Sequence, residues 1–250
     1  MNFCILLLFA WGSISIWHPN CKNFCQTKYF GKGIVIQMAK KSIAQTLGEE
    51  IANAISHGCG SLLAIAGTVI LIVKAALTSG ALAVVSVSLY GASLIILYSF
   101  SSLYHAITHK TAKKVLRIFD HCSIFLLILG SYIPVSLCLI GGARGWWLFG
   151  INTACTVLGI VLNSISLERW KKLSMILYIV MGWSVITSLG TVVALTPTAG
   201  IVLLALGGVL YTLGIIFYKN KSVKFMHFIW HLFVLGGSIL HYFFILNYCI

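Results

Sequence analysis

The chain has 250 residues, of which 60% are apolar and 8% charged, with a mean hydropathy of +1.01. A soluble domain carries about 25% charged residues, so this composition excludes an ordinary soluble fold and points to an integral membrane protein with short polar loops. The net charge of +13 would suit nucleic-acid binding, but the basic residues fall in short clusters between apolar runs, and nucleic acid is excluded as a partner.

Residues 1–37 do not follow the pattern of the remainder. An apolar stretch from Phe3 to Trp17 precedes His18-Pro19-Asn20 and a polar region with Lys22, Lys28 and Lys32. About 15 residues is short for a span, and the basic n-region of a signal peptide is missing. The expectation is a weakly specified extension, with Met38 as an alternative start, ahead of a single membrane domain over residues 38–250. Glu49 and Glu50, two of only four acids, follow. Their place suits a helix start, where acids complement the dipole. Asn53 and His57, at i and i+4 on one helical face, would enter the first span.

A bilayer crossing takes roughly 20 apolar helical residues. Seven such runs occur, near 51–73, 82–106, 118–140, 147–166, 173–194, 199–218 and 225–247. The fold class is therefore an all-α bundle of seven transmembrane helices. Lys40 and Lys41 precede the first run. Lys110, Lys113, Lys114 and Arg117 follow the second, Arg169, Lys171 and Lys172 the fourth, and Lys219, Lys221 and Lys224 the sixth. The alternate loops hold Lys74 and Arg144, so the bias is twelve against two. The positive-inside rule then gives a cytoplasmic N-terminus and an external C-terminus. An odd number of crossings follows, and the location is the cell membrane.

The second run ends with Ser101 and His105, four residues apart at the cytoplasmic end. His109 lies among the loop lysines and reads as solvated. The third run opens on Phe119-Asp120-His121, where an aspartate is either a helix cap or functional. Pro134 is expected to kink the third helix, and Trp146, Trp147 and Trp170 stand at run ends, where aromatic belts occur. Glu168 reads as a loop charge. Gly207-Gly208 and Gly236-Gly237 permit close helix packing. The eight cysteines are scattered without a CxxC pair and read as small buried side chains.

The last run carries His227, His231 and His241. His227 and His231 are one turn apart on one face. Ionisable groups inside a span are costly and read as functional. Counting about 1.5 Å per residue from the nearest basic loop places Asp120 and His227 at roughly 4–5 Å depth, His105 at roughly 7–8 Å and His231 at roughly 10 Å. Groups on three helices thus share one layer on the cytoplasmic side. Three imidazoles converging on one point make a zinc site with an open fourth position, and zinc lowers the pKa of a bound water to about 7. Asp120 and Ser101 would then hold that water or a ligand histidine, or act in acid–base catalysis. His121 points about 100° from Asp120 around the helix and is left out of the ligand set; the roles of His57, His121 and His241 stay open.

These residues together resemble the hemolysin III branch of the progestin and adipoQ receptor family. The carrying residues, in order, are Glu49 and Glu50 with Asn53 and His57, then Ser101-x3-His105, then Asp120, then His227-x3-His231, spanning Ser42 to Asn247. The resemblance implies seven transmembrane helices, zinc held by His105, His227 and His231, and a zinc-bound water near Asp120. It also implies kinship with ceramidase-like intramembrane hydrolases of lipid amides. No large external domain is present, so a protein hormone is not an expected partner; a membrane lipid is.

The leading reading is a zinc-dependent lipid amidohydrolase or a lipid-homeostasis protein. The alternatives are a non-catalytic membrane-perturbing (cytolytic) protein with a structural metal, and a proton- or metal-coupled transporter. Haem is disfavoured: His227 and His241 are fourteen residues apart, but no second helix has histidines at matching separation.

Overall fold

A computed structural model describes residues 9–10, 13–15, 25–30, 33–38 and 45–250. Lys40 and Lys41, and most residues behind the readings of residues 1–37 and Met38, lie outside this set. The chain divides into two units, one of residues 1–44 with 221–224 and the other of residues 45–220 with 225–250. In the first, the strands β1 (Phe9–Ala10), β2 (Ser13–Ser15), β3 (Cys25–Phe30) and β4 (Gly33–Met38) form an antiparallel sheet in sequence order, with Tyr29 opposite Ile34.

The second unit is helical. Its elements are α1 (Leu47–Thr78), α2 (Ala81–Ala106), α3 (Lys110–Pro134), α4 (Gly142–Trp183), α5 (Leu189–Leu195), α6 (Thr198–Lys219) and α7 (Met226–Tyr248). A π-helical turn at Val135–Ile140 follows α3, and a 3-10 turn at Ser184–Ser188 precedes α5. Six helical segments among the described residues are long and apolar enough to cross a membrane, one of them the 54-residue stretch Gly142–Leu195.

That stretch is not straight. Ser166 leaves the helical region (φ −165°, ψ 105°), and the chain folds back on itself there. Ser174 Oγ donates to Asn163 Oδ1 at 2.6 Å, and Asn152 Nδ2 donates to Ser184 Oγ at 3.0 Å. Residues 152 and 184 would stand about 48 Å apart on a straight helix. The fourth and fifth predicted runs are therefore two antiparallel arms joined at one residue, with Ser166 Oγ accepting from Arg169 N to start the second arm.

Packing follows the logic of lipid as solvent. Leu62, Leu63, Leu77 and Ile165 are all more than 60% exposed, whereas Asn53, Asn152, Asn163, Ser86 and Ser101 are buried. Between helices in lipid there is little hydrophobic drive, so close approach and interhelical hydrogen bonds do the holding. Glycines supply the approach: a side chain at Gly207 would overlap the His241 ring, and one at Gly159 would overlap Phe125. Ser61 and Ser99 bond α1 to α2 at 2.8 Å, and Tyr98 OH donates to Ser238 Oγ of α7 at 2.6 Å.

The first and last helices close the bundle. Phe225 N, just ahead of α7, donates to Glu49 Oε1 at 2.7 Å, and at the other end Lys74 Nζ donates to the Leu246 carbonyl. Early residues of α1 meet the start of α7 and late ones meet its end, so these helices run parallel. Phe225 adopts a left-handed backbone (φ 61°) that a bulky residue rarely takes, held there by the Glu49 carboxylate.

Two sequence expectations need correction. The third helix begins at Lys110, not near 118, with His109 as its cap accepting from Ala112 N. Asp120 thus lies ten residues inside α3 and is no N-cap. Pro134, which lacks an N–H for the helical ladder, marks the change from α to π hydrogen bonding rather than a simple kink.

Candidate metal centre

The buried stripe of α1 is Glu49, Asn53, His57, Gly60 and Ala64, a helical repeat that turns polar groups inward at its first turns. Thr46 caps this helix in a reciprocal box: Thr46 Oγ1 accepts from Glu49 N, and Glu49 Oε2 accepts from Thr46 N at 2.8 Å. α2 ends with Ser101 and His105 buried, and α7 begins with His227 half-buried and His231 buried. The parallel closure of α1 on α7 brings these three helix ends together.

His105, His227 and His231 converge, each offering a ring nitrogen within 4.8 Å of the others. Ring centroids are 5.1 Å apart for His105 with His227, 5.1 Å for His105 with His231, and 4.7 Å for His227 with His231. His105 Nε2 is buried and has no hydrogen-bond partner among the described residues. An unpaired buried nitrogen of this kind costs about 1–3 kcal/mol unless something occupies it. Three imidazoles with ring nitrogens this close, one of them carrying a buried unpartnered nitrogen, fit a zinc or similar transition-metal ion.

The environment of this trio comes largely from α1. Glu50 Oε2 accepts from His105 Nδ1 at 2.7 Å, and Glu50 Oε1 is 2.9 Å from Lys113 Nζ. His231 Nδ1 lies 3.3 Å from the Asn53 carbonyl and 3.2 Å from Ser56 Oγ. His57 stacks on His231 with centroids 3.6 Å apart and planes within 8°. Sequence reasoning gave Glu50 a dipole role and a place among the residues that carry the resemblance, gave Lys113 only a topological role, and missed Ser56. The available signal was the polar spacing Glu50, Asn53, His57 at i, i+3, i+7, which puts all three on one face of α1.

Asp120 and Ser101, the predicted catalytic pair, are adjacent to the trio and outside the ligand set. Ser101 contacts the Asp120 carboxylate, which also interacts electrostatically with His105, His227 and His57. His121 is closer to Asp120 than its helical angle implies: its Nδ1 stands 3.4 Å from Asp120 Oδ2 while donating to the Arg117 carbonyl at 2.9 Å. His241 takes no part, since its Nε2 donates to the Leu204 carbonyl at 3.1 Å.

Residues 45–242 match the Haemolysin-III related family. The chain belongs to the hemolysin III family. It is 44% identical to the Hemolysin-3 homolog of Bacillus subtilis (strain 168) over 205 residues, which cover 82% of this chain and 96% of that one. It is 41% identical to Hemolysin-3 of Bacillus cereus over 206 residues, covering 82% and 94%. The monocyte to macrophage differentiation factor of Homo sapiens is 29% identical over 218 residues, covering 81% and 85%. These relationships place it in the hemolysin III branch of the progestin and adipoQ receptor family. As a hemolysin III protein it is a multi-pass membrane protein, and the site residues from Glu50 to His231 all lie inside the matched region.

Proposed function

We propose that this hemolysin III protein crosses the membrane seven times with a cytoplasmic N-terminus, and hydrolyses a lipid amide at a zinc centre near the cytoplasmic face. The Ser166 fold-back supports the seventh crossing, because the two arms of Gly142–Leu195 lie side by side. The parallel run of α1 and α7 supports an odd count.

The observation that supports the activity is the convergence of His105, His227 and His231, with His105 Nε2 buried and unpartnered among the described residues. Zinc held there supplies Lewis acidity and a bound water acidic enough to ionise near neutral pH. The chain's own part is proton handling. Asp120 carries the carboxylate placed to take a proton and return it to the leaving amine. Ser101, 2% exposed, lies beside Asp120 and can donate to its carboxylate.

A second reading is a structural metal in a non-catalytic lipid-homeostasis or membrane-perturbing protein. The cross-helix ring contacts of His105 with His227 and His231 favour it, because an ion there would pin α2 to α7. One experiment separates the readings. The purified protein is assayed for zinc and for hydrolysis of an amide-linked lipid, alongside His105→Ala, His227→Ala and Asp120→Asn. The hydrolase reading expects about one zinc per chain, lost in both histidine variants. Asp120→Asn should keep the metal and lose roughly 10²–10⁴-fold in rate. Bound zinc without turnover on any amide lipid leaves the structural reading; a folded protein that refuses zinc removes both.

A further inference from the structure

The residues that would hold the ion stand on α2 and α7, but the groups that fix their orientation stand on α1. We propose that Glu50 and the Asn53–Ser56 turn are positioning residues. They hold His105 and His231 with the proton on Nδ1, so that both present Nε2 to the metal. The proposal rests on the metal-site reading above and adds which nitrogen binds and what sets it.

A carboxylate only accepts hydrogen bonds. Glu50 Oε2, 2.7 Å from His105 Nδ1, therefore requires the proton on that nitrogen. Asn53 Nδ2 is 3.4 Å from the same nitrogen, too far to compete with a contact of 2.7 Å. The remaining lone pair is then on Nε2, the buried atom without a partner. Lys113, 2.9 Å from the other carboxylate oxygen, balances the charge of Glu50 and restrains its rotation.

At His231 the same result comes from neutral groups. Ser56 Oγ donates to the Asn53 carbonyl at 2.9 Å, so it meets His231 Nδ1 at 3.2 Å as an acceptor. The Asn53 carbonyl, 3.3 Å away, is likewise an acceptor. Two acceptors around one ring nitrogen require a donor there. The His57 ring, stacked at 3.6 Å, blocks rotation of the His231 plane. His227 has no such hydrogen bond among the described residues and is oriented by ring contacts with His105, His231 and Tyr218.

The test uses the full chain in detergent and reads three quantities: zinc affinity by competition with a chelator, the visible spectrum of the cobalt-substituted protein, and the unfolding temperature of the metal-free protein. Removing an outer hydrogen-bond partner of a ligand histidine costs 10–100-fold in affinity. Glu50→Ala is expected to weaken zinc by about that factor and to move the cobalt bands, with metal-free unfolding near the parent's. Glu50→Gln retains an accepting oxygen at the same reach and should recover most of the affinity. Ser56→Ala, which leaves only the carbonyl at His231, should lose less than about tenfold and keeps the idea testable if Glu50→Ala does not fold. Parental affinity and spectrum in both Glu50→Ala and Ser56→Ala overturn the proposal. So does an affinity loss matched by an equal fall in metal-free stability and not rescued by glutamine. A parent that binds no zinc, with His105→Ala indistinguishable from it, instead sinks the metal reading beneath.

Discussion

His241 and His105 are both imidazoles enclosed in the bundle, and their second nitrogens separate them. His241 Nε2 donates to Leu204, closing its account within the protein, whereas His105 Nε2 is buried with no hydrogen-bond partner among the described residues. His57 is a third case, 3% exposed with neither ring nitrogen partnered among the described residues, and its stack on His231 explains its place. His241 sits over Gly207, where any side chain would overlap the ring. Gly207→Ala should therefore cost about 1–3 kcal/mol of stability by overpacking, with zinc content unchanged. Loss of zinc from that variant, measured in the same preparation, would contradict a purely structural His241. The sequence placed His105 in the layer of candidate ligands and left His241 open; the carbonyl that α6 places beside His241 fixes its role, and no local pattern encodes that partner.

Helix ends show what apolar length reveals and what it hides. The predicted runs 82–106, 199–218 and 225–247 end within one residue of α2, α6 and α7. Each of these helices starts and stops near the edge of its apolar run, so hydropathy reads it well. α3 begins eight residues before its run, because Lys110, Lys113, Lys114 and Arg117 are good helix formers that stop a membrane span without stopping a helix. That extension carries Lys113 to Glu50 and buries Asp120 within a helix. The Ser166 break was legible as a boundary between runs but not as a one-residue reversal. Asn163 secures it, accepting from Ser174 and donating to Tyr178 OH at 3.4 Å. Interhelical bonds of this type average about 0.6 kcal/mol and reach about 1.7, so Asn163→Leu is expected to lower stability by about 1–2 kcal/mol. An unchanged denaturation midpoint would mean that the two arms hold together by packing alone.

In the helical unit α1 and α7 run parallel, which suits the odd number of crossings expected from the charge pattern. Lys171 lies in the turn after Ser166, and Trp146 lies near the start of α4. The proposed seven crossings would put these two positions on opposite sides of the membrane. Lys171→Cys should react with an impermeant thiol reagent only when the cytoplasmic side is open, and Trp146→Cys should react in intact cells. Labelling of both from one side would remove the seventh crossing.

The closure of α1 on α7 also dictates when the centre can exist. Glu50, Asn53, Ser56 and His57 are made early, yet the nitrogen that Asn53 and Ser56 orient belongs to His231, some 175 residues later. Chains emerge N-terminus first, so a nascent chain with α1 to α6 inserted has its orienting groups and one ligand but no place for an ion. The proposed ion could therefore load only after α7 has inserted. Until α7 arrives, Glu50 already has His105 and Lys113 as partners, whereas Ser56 and the Asn53 carbonyl still lack His231.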